Sequence, residues 1–267
     1  MPENIEPNAI DCFNLCERVA IVTGATGHLG GAMARALAEV GAQVVISSRD
    51  QKSADKFAAT LPNTANASHF GMMLDHMDER SINSFISQVR ERTGRIDILV
   101  NNALEPIASD WNNASAEEFN RHLINVTGCF LLARCVRDAA VLRKAPASIV
   151  MIGSMYGCVA SYPDVYEGIS SANPAAYQAM KGGLIQLTRH LAVHWARDRV
   201  RVNCLSPGPF PASNVSPVLV ERLKHKSPMG RMGEPHELKG ALLLLATDAG
   251  SYITGQNLVV DGGWTVW

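Results

Sequence analysis

Long apolar runs are missing from this sequence. One of the more continuous, ALLLLA at 241–246, falls far short of the ~18 residues that a membrane span needs, so no membrane association is expected. Charge of one sign is missing too: 24 Lys and Arg stand against 25 Asp and Glu, for a net charge of −1. That balance gives no support to nucleic-acid binding. The six cysteines, at 12, 16, 129, 135, 158 and 204, form no CxxC pair, and most sit in apolar contexts. They read as reduced, packed thiols rather than as a metal or redox motif. The opening MPENIEPNAIDCFNLCE lacks a basic-then-apolar run, so a cytoplasmic location is expected. Repeats, low-complexity tracts and long linkers are absent as well.

What is present is a soluble-enzyme composition, 47% hydrophobic and 18% charged over 267 residues, enough for one large domain with a substantial core. Short β-branched runs alternate with helical patterns. Strands are expected at 18–24, 43–48, 69–74, 96–103, 147–154, 199–207 and 256–263. Helices are expected at 29–41, about 79–92, 115–138, 174–196 and 234–247. Continuous apolar strands separated by helices imply a parallel sheet covered on both faces. The expectation is a single Rossmann-like, doubly wound α/β domain with a seven-stranded parallel sheet, spanning 17–267 after an N-terminal extension at 1–16. In such a sheet, ligands bind beyond the carboxyl ends of the strands.

The first strand runs straight into TGATGHLGG, with Gly24, Gly27 and Gly30 between strand and helix. A dinucleotide pyrophosphate can rest there on the N–H groups of Gly24, Thr26, Gly27, His28, Leu29 and Gly30 at a helix N-terminus. A tight turn that needs glycine only for its shape is the plainer reading. At the end of the second strand an NAD site offers a carboxylate to the ribose and an NADP site a cation to the 2′-phosphate. Ser48 stands at the acidic position and Arg49 follows; a guanidinium binds phosphate in a bidentate, charge-assisted way. NADP(H) is therefore favoured, with NAD(H) as the alternative if Asp50 supplies the ribose carboxylate.

Tyr177 lies four residues before Lys181, so on a helix both heads reach one point. No other tyrosine of the five has a lysine at that spacing. Free tyrosine titrates near pH ~10, and a neighbouring ammonium favours the phenolate that a general base requires. TGATGHLG, Asp75, NNA at 101–103, INVTG at 124–128, Ser154, YQAMK at 177–181, SPG at 206–208 and VDGGW at 260–264 occur in this order. The combination resembles the short-chain dehydrogenase/reductase family from about residue 17 to the end. The resemblance implies a tetrad of Asn125, Ser154, Tyr177 and Lys181. Ser154 would bind the substrate oxygen, Tyr177 transfer the proton, Lys181 hold the nicotinamide ribose, and Asn125 position a water. It also implies cofactor contacts from Asp75 to adenine, from Asn101 and Ala103, and from Pro207, Gly208 and Phe210 near the carboxamide. A homotetramer or homodimer is implied in the same way.

Three departures from the family pattern stand out. The glycines fit TGxxGxxG rather than TGxxxGxG, which sets His28 beside the pyrophosphate or redirects the turn. Leu104 follows NNA in place of Gly, and Ala212 replaces the Thr often found after PG. The stretch from Ser154 to Tyr177 is long and carries Tyr156, Tyr162, Asp164, Tyr166 and Glu167. Tyr156, Tyr166 and Glu167 are candidate substrate contacts, with substrate loops expected at about 155–176 and 209–232. The basic cluster Lys224, His225 and Lys226 could attract an anionic substrate or be a solvated face. This loop set resembles gluconate dehydrogenase-like and nonulosonic-acid-pathway members, which implies a polyhydroxylated small-molecule substrate. A 3-oxoacyl-carrier-protein reductase and a non-catalytic NADP sensor are the competing readings; the complete tetrad argues against the sensor. His190 and His194, at i and i+4, read as structural rather than as metal ligands, and no metal is expected. Trp264 and Trp267 are expected at a subunit contact.

Overall fold

The computed structural model describes residues 6–64, 67–106, 112–169 and 174–267. Seven parallel strands form one sheet in the order β3-β2-β1-β4-β5-β6-β7. They are β1 (Val19–Val22), β2 (Gln43–Ser48), β3 (Phe70–Met73), β4 (Ile98–Asn101), β5 (Ala147–Ile152), β6 (Val200–Pro207) and β7 (Asn257–Val260). The eight α-helices among the described residues are α1 (His28–Glu39), α2 (Gln51–Ala58), α3 (Glu79–Thr93), α4 (Ala116–Arg143), α5 (Pro163–Tyr166), α6 (Ala175–Trp195), α7 (Pro217–His225) and α8 (Lys239–Ala246).

The chain winds outward from β1 in both directions. β2 and β3 lie on one side of it and β4 to β7 on the other, so a crevice opens over the β1–β4 junction, where the strand order reverses. Period-two alternation assigns the two faces. Val19 and Ile21 pack with α3, α4 and α6 residues such as Phe85, Leu132 and Leu184. Ala20 and Val22 pack with Met33 and Leu37 of α1 and Leu242 of α8. Each such fully buried aliphatic side chain contributes about 1.5–3 kcal/mol.

Helix ends follow local chemistry. Ser115 and Glu118 form a reciprocal capping box at the start of α4, and Gly94 ends α3 in the left-handed region at φ +70°; both satisfy orphan backbone groups. Several boundaries depart from expectation, among them β4 (98–101 for 96–103), α4 (116–143 for 115–138) and β7 (257–260 for 256–263). β1 stops at Val22 rather than at 24 because Gly24 turns to φ +62°. The region expected as one helix at 234–247 divides into a 3-10 turn, Pro235–Leu238, and α8. Within the described part of the extension, Leu15 enters the core and its N–H donates to the Val40 carbonyl at 2.8 Å. Trp264, expected at a subunit contact, is instead buried within the chain beside Met155, Tyr156 and Leu223.

Candidate active site

A cleft of about 420 Å³ opens beyond the carboxyl ends of β1 to β4. Gly24, Thr26, Gly27, His28, Leu29 and Gly30 line one wall, Ser48 and Arg49 another, and Ala103 the floor. The turn is shaped by contact with the β4 loop. A Cβ on Gly24 would lie 2.9 Å from the Ala103 Cα. Asn102 Nδ2 donates to the carbonyls of Thr23 and Gly24 at 2.9 and 3.1 Å. The Thr23 hydroxyl accepts the N–H groups of Asn102 and Ala103, both at 2.9 Å.

Gly27 is the N-cap of α1, and no side chain caps that end. The first-turn N–H groups and the positive end of a 12-residue helix therefore face the cleft without a side-chain cap. His28, exposed, is the first residue of that helix. This donor set fits a dinucleotide pyrophosphate.

Not every expected cofactor residue faces the cleft. Asp75 lies between two lining residues, Leu74 and His76, but its carboxylate accepts the Met77 N–H at 2.9 Å. Asn101 points to the opposite side of the sheet. It is 2% exposed and donates to the Cys129 carbonyl at 2.9 Å; Asn102 takes the cleft-facing position. Pro207 ends β6, and the Gly208 N–H donates to the Val260 carbonyl at 2.8 Å. Phe210 lines a separate small pocket with Met229, Arg231 and Met232.

The tetrad converges from three elements. Ser154 follows β5, is 7% exposed, and accepts the Tyr156 N–H at 3.1 Å. Tyr177 and Lys181 lie one turn apart on α6, the Lys181 Nζ 5.7 Å from the centre of the Tyr177 ring. Lys181 is buried and donates to the Ile152 carbonyl at 2.6 Å. Gly157 lets the two segments meet: a Cβ there would sit 2.8 Å from the Lys181 carbonyl carbon and oxygen. Tyr177 packs on the cluster that contains Met155 and Tyr156. Asn125 and Lys181, with Asn101, Ala103 and Leu104, line one narrow cavity beside the large cleft.

Asn125 is held on every side. Its Oδ1 accepts the Glu105 N–H and the His76 Nε2–H, both at 2.8 Å. Its Nδ2 donates to the carbonyls of His122 at 3.0 Å and Glu105 at 3.4 Å. His76 and Glu105 also line the large cleft. Neither was expected from the sequence, since their roles depend on two loops meeting α4. Glu105 is itself held by Arg121, whose Nε donates to Oε1 at 3.0 Å. That bond keeps its carboxyl below the ordinary range, against the opposing effect of burial.

Over the corner, the Tyr156 and Tyr166 hydroxyls pair at 2.6 Å. Burial pushes both phenols up. Tyr156 is 5% exposed, so its hydroxyl is committed to Tyr166, whereas Tyr166 is half-buried. Glu167 is exposed, and its backbone carbonyl accepts from Arg222 at 2.7 Å. Residues 170–173 of the expected loop at 155–176 lie outside the described residues. The basic cluster is largely spent on ion pairs, Lys224 with Glu221 at 3.0 Å and Lys226 with Asp164 at 2.9 Å. Among the described residues, no helix is long and apolar enough to cross a membrane.

The chain is similar to several known dehydrogenases. A family model described as Enoyl-(Acyl carrier protein) reductase matches residues 24–265. A galactitol 2-dehydrogenase (L-tagatose-forming) of Cereibacter sphaeroides is 35% identical, covering 96% of this chain and 98% of that protein. An NADP-dependent mannitol dehydrogenase of Hypocrea jecorina is 34% identical, covering 96% and 95%. The crystal structure of a gluconate 5-dehydrogenase from Burkholderia cenocepacia, in complex with NADP and tartrate, superposes with a TM-score of 0.86 at 29% identity, covering 97% of this chain and 100% of that one.

Proposed function

Because the chain belongs to the short-chain dehydrogenase/reductase family, and is thus an oxidoreductase of CH–OH groups, we propose a polyhydroxylated substrate, a sugar alcohol or sugar acid oxidised at a secondary carbon. NADP(H) is its preferred cofactor. The carrying observation is the packing of the turn after Ser154 on α6, where a Cβ on Gly157 would meet the Lys181 backbone and the buried Lys181 ammonium lies 5.7 Å from the centre of the Tyr177 ring. Polyol and aldonate dehydrogenases among its relatives support the substrate class, and so does the tyrosine-rich rim.

When bound, the nicotinamide accepts or supplies the hydride. Ser154 would orient the substrate oxygen and stabilise charge that develops on it. Tyr177 would take the hydroxyl proton during oxidation and return it during reduction. Lys181 would favour negative charge on the Tyr177 oxygen, and Asn125, fixed by four hydrogen bonds, would keep the neighbouring cavity open for a water. The α1 N-terminus would hold the pyrophosphate, and Ser48 with Arg49 the 2′-phosphate. Asp75, Ala103, Pro207 and Gly208 complete the reading on the cofactor side, while Asn101 and Phe210 face other cavities; a cytoplasmic homo-oligomer belongs to the same reading. Exposed Leu123 and Ile124 on α4 and Val193 on α6 support self-association.

The test pairs Tyr177→Phe with a screen of NADP⁺ and NAD⁺ against polyols and aldonates, and of NADPH against acetoacetyl thioesters. Turnover should fall about 10²–10⁴-fold while NADPH affinity, measured by fluorescence, holds within about twofold. Faster turnover of thioesters than of any sugar derivative would favour the carrier-protein reductase. Tight cofactor binding without turnover of any compound would favour a sensor.

A further inference from the structure

Building on the proposed NADP(H) site, we propose that Glu105 is a specificity-determining residue that opposes the 2′-phosphate by tethering Arg49. Glu105 is the one carboxylate among the described residues lining the large cleft. The strand end that would ordinarily supply an acidic residue has none free. Ser48 occupies that position, and the Asp50 carboxylate caps α2 by accepting the Ser53 N–H at 2.9 Å. The negative charge in this corner therefore comes from the β4 loop.

Its placement is rigid. Both backbone polar groups of Glu105 are bonded to Asn125, which fixes the Cα, and Arg121 fixes the carboxylate. The Glu105 side chain is 17% exposed, and its Oε2 lies 3.5 Å from the Nη1 of Arg49, which is 67% exposed. A guanidinium that closes on a phosphate must give up this contact. The phosphate therefore binds at the expense of that ion pair. A free ribose hydroxyl meets no such cost, because it leaves the Arg49–Glu105 pair in place. Glu105 thus narrows the preference for NADP(H) that Arg49 creates, and leaves NAD(H) binding intact.

The long 3.5 Å contact and the exposure of Arg49 limit the effect to the range of a surface pair, about two- to fivefold in affinity. The experiment measures NADPH and NADH dissociation constants by fluorescence for the wild type, Glu105→Gln, Glu105→Ala, Arg49→Ala and the Arg49→Ala/Glu105→Gln double variant. Both Glu105 variants should bind NADPH about two- to fivefold more tightly, with NADH unchanged. In the Arg49→Ala background the gain should disappear. Unchanged or weaker NADPH binding in the Glu105 variants overturns the proposal. The two levels separate cleanly. If Arg49→Ala lowers the NADPH preference but Glu105→Gln does not raise it, only the role of Glu105 falls. If Arg49→Ala leaves that preference unmoved, the 2′-phosphate reading itself falls and takes this proposal with it.

Discussion

Lys181→Met removes the ammonium that the proposed chemistry leans on most. Nζ lies 5.7 Å from the Tyr177 ring centre, with Lys181 only 7% exposed. A unit charge pair at about 6 Å and an effective dielectric near 20 interacts with about 3 kcal/mol. If the phenol oxygen carries most of a negative charge in the transition state, losing that term slows the chemical step about 100-fold. Burial limits screening, so the loss should persist at about 0.5 M salt. A single-turnover measurement at saturating NADPH isolates this step, because any weakening of cofactor affinity drops out. Lys181→Arg keeps the charge and should recover part of the rate. A single-turnover loss below about tenfold in the methionine variant, with cofactor saturating, would refute electrostatic assistance and leave Lys181 as a cofactor-holding residue. The lost hydrogen bond to Ile152 is a separate consequence, read by thermal melting and not by this rate.

Two further outcomes follow from buried polar junctions. Asp97, 3% exposed, receives Arg95, Arg143 and the Val19 N–H. Burial pushes its carboxyl up, but these donors outweigh burial and hold it below the ordinary carboxylate range. A depressed value contributes stability above the unfolded-state value near ~3.9, and that stability is lost as pH falls through the folded-state value. Asp97→Asn should therefore cost about 3–5 kcal/mol at pH 7, a fall of about 6–20 °C in Tm, and the gap to wild type should begin to close in melts below about pH 4. His76→Leu cuts the bond to Asn125 Oδ1. It should lower kcat about five- to tenfold, as one buried hydrogen bond implies, with substrate KM little changed, and His76→Gln should restore most of it.

The fold was readable because the strands are buried on both faces. β2 and the starts of β5 and α3 coincide with the apolar pattern, whereas β1 and β4 end early where Gly24 and Asn102 leave the sheet to shape the cleft. α2 was not expected, since QKSADKFA is short and mostly polar and buries only Ala54 and Ala58. Tyr177 and Lys181 were found by helical spacing, a local signal. Asn101 and Asn102 could not be told apart by motif. Strand alternation turns the first toward Cys129 and the second toward the glycine turn, and only the register with β1 fixes which is which. His76 and Glu105 left no local trace, because their partner lies 49 and 20 residues away.

That shared partner ties the two halves of the site together. His76 arrives from the loop after β3 and Glu105 from the loop after β4, and both line the cofactor cleft while gripping the side chain of Asn125. The grip on Asn125 uses the imidazole of His76 but only the backbone of Glu105, so the two positions should respond differently to substitution. Changing the His76 ring disturbs Asn125 and should register in turnover. Changing the Glu105 carboxylate leaves its backbone bonds in place and should register in cofactor affinity alone. Among the described residues, Arg49 touches this junction through that carboxylate alone, so its effects should follow the cofactor and not the proton. Tertiary contact, more than sequence neighbourhood, thus divides binding from chemistry at this site.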